Sequence, residues 1–142
     1  MGAVEIKRVV IDTNVLVSAL LYKGLPSGLH RLWQRKRIQP LCSREIIEEY
    51  LRVLAYPKYK LTEQEIGYLF NFEILSYFEV IQVEPGKAYV EADPSDDKFI
   101  WCAVDGKADA IVSGDEHLLS FSRSPVPILS ITDFMKNKDC LP

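Results

Sequence analysis

Acidic residues beside apolar segments are the residues of this sequence whose types and spacing could do chemistry. Asp12 directly follows the apolar run 9–11, Asp115 closely follows the run 110–112, and Asp97 opens the segment "DKFIWCAV". Carboxylates drawn together raise one another's pKa and destabilise their site unless a cation neutralises them. A hard divalent ion such as Mg²⁺ or Mn²⁺ prefers oxygen ligands and keeps several waters. Converging aspartates would therefore predict a hydrated divalent metal site.

Each of these carboxylates also has a purely structural explanation. An aspartate after a strand is often the N-cap of the next helix, and for Asp12 and Asp115 this alternative is equally good. For Asp93 and Asp96 we favour capping, with Pro94 as the first helical residue. Asp97 differs, because it is predicted on the buried stripe of its helix. That stripe continues through Ile100, Trp101 and Val104.

A fourth acid is expected from the segment "SREIIEEYLRVL". Its apolar side is formed by Ile46, Ile47, Tyr50, Leu51 and Leu54. Glu48 and Glu49 both border this apolar side, so helical spacing alone does not choose between them.

The elements that must position these acids alternate along the chain. Strands are predicted in "KRVVID", "IQPLC", "EVIQV", "ADAIVS" and "VPILSI". Helices are predicted over 14–22, 26–37, 44–56 and 62–78, within "DPSDDKFIWCAVDG", briefly after Asp115, and over 132–138. Ser43 is the predicted cap of the third helix, and Thr62 with Glu65 forms a capping-box pattern for the fourth.

This alternation predicts an α/β fold, specifically a three-layer α/β/α sandwich with a mainly parallel central sheet. In such folds the functional crevice lies beyond the carboxyl ends of the strands. Asp12 and Asp115 follow two strands, and Asp97 begins the helix that precedes one of them. We therefore expect all three acids at one edge of the sheet.

Composition limits the class of protein. The 142 residues suit a single domain, 1–142, and the net charge of −3 argues against a broad basic surface for nucleic acid. Cys42, Cys102 and Cys140 lack metal-binding spacing and are predicted to be reduced, with Cys42 and Cys102 buried. With neither a signal peptide nor a membrane-spanning run in the sequence, we expect no membrane association and a cytoplasmic location.

Positive charge is concentrated in "HRLWQRKR". The arginines Arg31, Arg35 and Arg37 are predicted on a solvated helix face, whereas Lys36 follows the spacing of the apolar side. A phosphate-contacting role is compatible with this arrangement, and its candidates are Arg31, Arg35, Lys36 and Arg37. The two histidines, His30 and His117, are predicted at the surface and outside the metal site.

The acidic segments together resemble the PIN domains, a family of metal-dependent ribonucleases. The family includes the toxin components of bacterial and archaeal toxin–antitoxin pairs. The resemblance rests on "VVIDTNVLVSAL", "SREIIEEYLRVL", "DPSDDKFIWCAV" and "ADAIVSGDEHLL", which occur in the family's order and spacing and extend over nearly the whole chain.

The resemblance implies a catalytic quartet of Asp12, Glu49, Asp97 and Asp115, and it favours Glu49 over Glu48 and Asp97 over Asp96. Asp12, Asp97 and Asp115 would hold one or two Mg²⁺ or Mn²⁺ ions. Ser113 stands where the family usually has threonine. Thr13 and Asn14 match positions that help to orient the first aspartate. Single-stranded RNA is the implied substrate, and an antitoxin protein is the implied partner.

Two other classes of protein are alternatives to a nuclease. A receiver or phosphoryl-transfer domain also places an aspartate after a parallel strand, but "IDTN" offers neither a D-x-D pair nor the expected lysine and hydroxyl partners. A non-catalytic interaction module of the same fold could bind an antitoxin or a second copy. Aromatic residues that could form a dimer surface, or simply pack in the core, are Tyr68, Phe70, Phe72 and Tyr77.

Overall fold

The computed structural model describes residues 6–84 and 94–139. These residues form a five-stranded sheet with the strand order β3-β2-β1-β4-β5, and every adjacent pair is parallel. The strands are β1 (Arg8–Ile11), β2 (Gln39–Cys42), β3 (Glu79–Val80), β4 (Ala110–Val112) and β5 (Ile128–Leu129). The predicted α/β/α fold with a parallel sheet is confirmed, although β3 and β5 are shorter than the sequence predicts.

Helices connect these strands. They are α1 (Thr13–Leu21), α2 (Leu25–Gln34), α3 (Arg44–Leu54), α4 (Glu63–Tyr68), α5 (Asp97–Asp105), α6 (Glu116–Leu119) and α7 (Ile131–Asp139). Short 3₁₀ helices occur at Pro57–Tyr59 and Pro94–Asp96. No helix within 6–84 or 94–139 is long and apolar enough to span a membrane.

The central strand β1 owes its position to three consecutive aliphatic residues. Val9, Val10 and Ile11 are completely buried because β2 and β4 flank the strand and helices cover both faces of the sheet. Burying each such side chain contributes about 1.5–3 kcal/mol before entropic costs. Cys42 and Cys102 lie in the same core, where burial raises the pKa of each thiol to about 12. Cys140 lies outside the described residues.

Two helix starts follow the capping chemistry of the sequence. The Ser43 hydroxyl accepts a hydrogen bond from the Ile46 N–H at 3.3 Å and begins α3. At α4, the Thr62 hydroxyl accepts from the Glu65 N–H at 3.0 Å, while the Glu65 carboxylate accepts from the Thr62 N–H at 2.9 Å. The predicted capping box is therefore confirmed.

The helix predicted over 62–78 is not a single α-helix. α4 ends at Tyr68 and continues as a π-helical segment, Leu69–Leu75. Within this segment the Glu73 carbonyl accepts a hydrogen bond from the Trp33 indole at 2.9 Å, and the Glu73 carboxylate bonds His30. These tertiary contacts accompany the wider helical winding. His30 is consequently only partly exposed, contrary to the prediction, whereas His117 is exposed as expected.

The two edges of the sheet carry different residues. Arg8 begins β1 opposite Gln39, the first residue of β2, and together they mark the amino edge. Asp12 follows β1 at the carboxyl edge, and α3 begins at this same edge after β2. α5 also begins on this side, because its other end leads into the amino end of β4.

Candidate active site

Asp12 combines a capping role with an exposed fraction of only 4%. One carboxylate oxygen accepts a hydrogen bond from the Val15 N–H at 2.9 Å and so begins α1. The other oxygen accepts from the Ser113 hydroxyl and from the Gly114 N–H, the latter at 3.3 Å. The capping alternative is therefore confirmed, and it leaves ligand capacity, because a carboxylate has about four lone-pair sites.

The environment of Asp12 opposes its ionisation. Burial is the main cause that raises the pKa of Asp12, and the negative charge of Asp115 adds to the rise. Hydrogen bonds from Ser113 and from the Val15 and Gly114 backbone act in the opposite direction. Asp12 is thus a buried carboxylate that is repelled by a second carboxylate. A bound cation relieves this repulsion.

Asp115 lies beside Asp12 at the end of β4. Its carboxylate accepts from the His117 N–H at 2.8 Å and caps α6, while its own N–H donates to the Ser113 hydroxyl at 2.9 Å. Ser113 is therefore a bridge between the two acids, since its hydroxyl donates to Asp12. Capping is confirmed for Asp115 as well.

Glu49 is held by partners from two other segments. Its carboxylate accepts from the Thr13 hydroxyl and lies 2.7 Å from the Lys98 ammonium. Its side chain is 16% exposed. Glu48 points elsewhere, because it is largely exposed and pairs with Arg44 at 3.3 Å. The structure therefore brings Glu49 rather than Glu48 into contact with the segments that bear Asp12 and Asp97, where helical spacing left both glutamates open and the family resemblance favoured Glu49.

Asp97 is the first residue of α5 and is 3% exposed. Asp96 directly precedes it within the 3₁₀ helix and is also buried, so burial does not distinguish them. The predicted buried stripe through Ile100, Trp101 and Val104 is only partly correct. Ile100 is buried, Trp101 is partly exposed and Val104 is exposed. The predicted N-cap Asp93 lies outside the described residues.

Contacts join the four predicted segments into one site. Ser113 bonds Asp12, and the adjacent Thr13 bonds Glu49. Glu49 in turn contacts Lys98, which follows Asp97. The segments that bear all four acids therefore meet at the carboxyl edge of the sheet.

The donor chemistry of this site fits a hydrated ion rather than a closed protein cage. Within the described residues, no three His, Cys, Asp or Glu side chains are grouped closely enough to hold a metal ion by themselves. Mg²⁺ commonly meets one or two carboxylates directly and keeps several waters. The neighbouring carboxylates of Asp12 and Asp115 provide such hard oxygen donors. Ligation by Asp12, Asp97 and Asp115 remains a prediction.

Other residues named from the sequence are placed differently from what the sequence predicts or lie away from the acids. Asn14 is exposed on the first turn of α1, and the hydroxyl of Thr13 bonds Glu49 rather than Asp12. Four basic residues lie near the end of α2 and in the connection to the amino end of β2, and all are exposed: Arg31, Arg35, Lys36 and Arg37. The connection into β2 therefore lies at the edge opposite the acids.

Two residues of the site were not singled out from the sequence. Lys98 contacts Glu49, and the buried Tyr50 hydroxyl donates to the Ile11 carbonyl immediately before Asp12. The sequence does mark Lys98 as unusual, because a cation in the first turn of a helix opposes the helix dipole. Nothing in the sequence distinguishes Tyr50 except its position on the apolar side of its helix.

Several families share a parallel α/β/α sheet with carboxylates at its carboxyl edge, and one of them is a nuclease fold family. A sequence model described as a PIN domain matches residues 8–117. The chain belongs to the PIN domain family, and the resemblance found in the sequence is confirmed at this level.

The chain also has relatives in sequence and in fold. The chain is 34% identical over 128 residues to the uncharacterized protein MJ1680 of Methanocaldococcus jannaschii, covering 84% of this chain and 77% of that protein. PAE2754 from Pyrobaculum aerophilum shares the fold with a TM-score of 0.59 at 15% identity, over 97% of this chain and 99% of that one. The PIN domain endonuclease Utp24 has a TM-score of 0.53 at 21% identity, over 87% and 84%.

Proposed function

We propose that this protein is a Mg²⁺- or Mn²⁺-dependent endoribonuclease that cleaves phosphodiester bonds in single-stranded RNA. The observation that supports the proposal best is the meeting of four acid-bearing segments at one edge of the sheet, linked by the contacts of Ser113, Thr13 and Lys98. Membership of the PIN family supports nuclease chemistry. Utp24, which is described as an endonuclease, has the same fold.

The four acids have two roles in this proposal. Asp12, Asp97 and Asp115 would hold the metal directly or through water, and Ser113 keeps the Asp12 carboxylate oriented. A bound divalent ion supplies positive charge for the phosphate and lowers the pKa of a water molecule. Glu49 positions the attacking water or accepts its proton. Thr13 orients Glu49 through its hydroxyl.

Burial of the acids argues for a single-stranded substrate. The exposed fractions of Asp12 and Asp97 are 4% and 3%, so a phosphodiester must enter a recess to reach them. A flexible single strand can present its backbone in this way more readily than a duplex. The exposed basic residues at 31 and 35–37 would contact more distant phosphates of a longer RNA.

We further propose a role as the toxin of a cytoplasmic toxin–antitoxin pair, with an antitoxin protein as the inhibitory partner. A homodimer is a second proposed assembly. Its support is the exposed aromatic pair Tyr68 and Phe72, whose ring centroids are 5.0 Å apart. Phe70 and Tyr77 instead pack against the core, as the alternative interpretation expected.

A single cleavage assay tests the nuclease proposal. Purified protein and its Asp12→Asn variant are incubated with a mixed pool of single-stranded RNA in Mn²⁺, in Mg²⁺ and in EDTA, and the cut sites are mapped. We expect internal cuts by the wild type only with a divalent ion, and none by the variant. Equal cleavage by the variant, or cleavage in EDTA, would reject the proposed mechanism.

A non-catalytic interaction module is the second candidate function. It is favoured by the ion pair between Glu49 and Lys98, which already neutralises one of the four acids. In this case the wild type would leave RNA intact with every divalent ion tested.

A further inference from the structure

Lys98 places a positive charge within the acidic site. Its ammonium lies 2.7 Å from a carboxylate oxygen of Glu49 and donates a hydrogen bond to the Ser95 carbonyl at 2.6 Å. The Lys98 and Glu49 side chains are only 12% and 16% exposed. Partial exclusion of water strengthens such a charge-assisted contact, and removing one partner leaves the other poorly compensated.

Lys98 occupies a position in its helix that is unfavourable for a cation. Lys98 is the second residue of α5, where a cation opposes the helix dipole. A favourable interaction with Glu49 offsets that cost. Because Asp97 is the preceding residue, the contact also ties the segment that bears Asp97 to the middle of α3.

The other partners of Glu49 are weaker sources of positive charge. The Arg52 guanidinium lies farther from the carboxylate, at 3.6 Å, and its side chain is 63% exposed. The Thr13 hydroxyl is a neutral donor. Lys98 is therefore the closest cationic partner of Glu49 among the described ion pairs.

We propose that Lys98 is a positioning residue that orients Glu49 and supplies positive charge to the acidic site before a metal ion binds. The second part rests on the proposed metal-dependent function, whereas the first part does not. Lys98 and a bound divalent ion repel each other, so the lysine maintains the metal-free site at a cost in metal affinity.

A double-mutant cycle in EDTA tests the positioning role. Lys98→Met, Glu49→Gln and the double variant are unfolded in urea, and their losses of stability are compared. We expect the double variant to lose clearly less than the sum of the single losses. The matched control is the exposed pair Arg44→Met and Glu48→Gln, for which we expect additive effects. Additive losses at Lys98 and Glu49 would overturn the positioning role.

Calorimetric titration with Mn²⁺ tests the supply of charge. Removing a nearby cation should tighten binding of a divalent ion, and we expect Lys98→Met to bind Mn²⁺ about tenfold more tightly than the wild type. Arg44→Met should stay within about twofold, because its charge is exposed to solvent. Unchanged or weaker Mn²⁺ binding by Lys98→Met would overturn this part.

RNA kinetics separate positioning from direct substrate contact. At saturating Mn²⁺ we expect Lys98→Met to lower kcat about tenfold with little change in KM, and Lys98→Arg to recover part of the loss. A raised KM with unchanged kcat would identify Lys98 as a phosphate contact and overturn the inference. If the wild type cleaves no RNA, the nuclease proposal fails, while the cycle in EDTA still decides whether Lys98 orients Glu49.

Discussion

The Ser113 hydroxyl donates a hydrogen bond to the carboxylate of Asp12, 101 residues earlier in the chain. The contact exists because Ile11 and Val112 are paired in register at the ends of β1 and β4. The Asp12 N–H extends this pairing by donating to the Val112 carbonyl at 3.0 Å. The register of two parallel strands therefore sets the orientation of the first acid of the site.

The Asp12→Asn variant should be more stable than the wild type in EDTA at neutral pH. Burial raises the pKa of Asp12 in the folded state, so folding favours the protonated carboxyl. The resulting stabilisation is complete only below the ordinary carboxyl pKa. That contribution is lost as the pH rises through the raised pKa. We expect Asp12→Asn to gain about 1 kcal/mol at pH 7, because asparagine is also a good N-cap. Urea unfolding measures the gain.

The pH dependence provides the check on this expectation. The stability difference between the two proteins should shrink as the pH falls through the raised pKa of Asp12 to about 4, the ordinary carboxyl pKa, because the wild-type carboxyl becomes protonated over this range. A gain that is constant from pH 4 to 8 would contradict the electrostatic explanation.

The two neighbouring glutamates of α3 should differ sharply in cleavage. Glu49→Gln should lower kcat about 10²- to 10⁴-fold, because the proposed general base loses its charge. Glu48→Gln should stay within about twofold, since Glu48 is exposed and pairs only with Arg44 in the described contacts. Single-turnover RNA cleavage measures both variants. Similar losses of kcat in the two variants would contradict the role of Glu49 as the general base.

Two substitutions at Ser113 should distinguish the effect of its hydroxyl group from the effect of its packing. Ser113→Ala removes a donor to a buried carboxylate and should cost about 1.5–3 kcal/mol at pH 7, with a clear loss of cleavage. Ser113→Thr keeps the hydroxyl and should retain more cleavage activity. Denaturant unfolding and cleavage rates measure the pair. Equal activity of the alanine and threonine variants would show that the hydroxyl does not support the site.

The basic residues near the end of α2 should matter only for long RNA. The combined change Arg35→Ala and Arg37→Ala should leave cleavage of a short oligonucleotide within about twofold, because these residues lie near the amino edge. Binding of a long single strand should weaken. The slope of log K against log salt concentration should become shallower by about 0.7 for each lost phosphate contact. Fluorescence anisotropy at several salt concentrations measures this slope. Unchanged binding of long RNA would remove these residues from the RNA interface.

Local patterns were sufficient for much of the fold. The run 9–11 predicted a buried strand, and Ser43 and Thr62 predicted helix starts, because strand burial and capping involve residues close in sequence. The π-helical segment could not be predicted in this way. Its Glu73 carbonyl bonds the Trp33 side chain, which lies 40 residues earlier.

The sequence by itself determined that this is a parallel α/β domain with acids near the carboxyl ends of its strands, since apolar periodicity and helix caps are local properties. Only the tertiary structure decided that Glu49 rather than Glu48 meets Thr13, that Ser113 meets Asp12, and that Lys98 lies among the acids. These contacts depend on strand register and on the rotation of α3 and α5 against the sheet. Such quantities are set by packing between residues far apart in the chain.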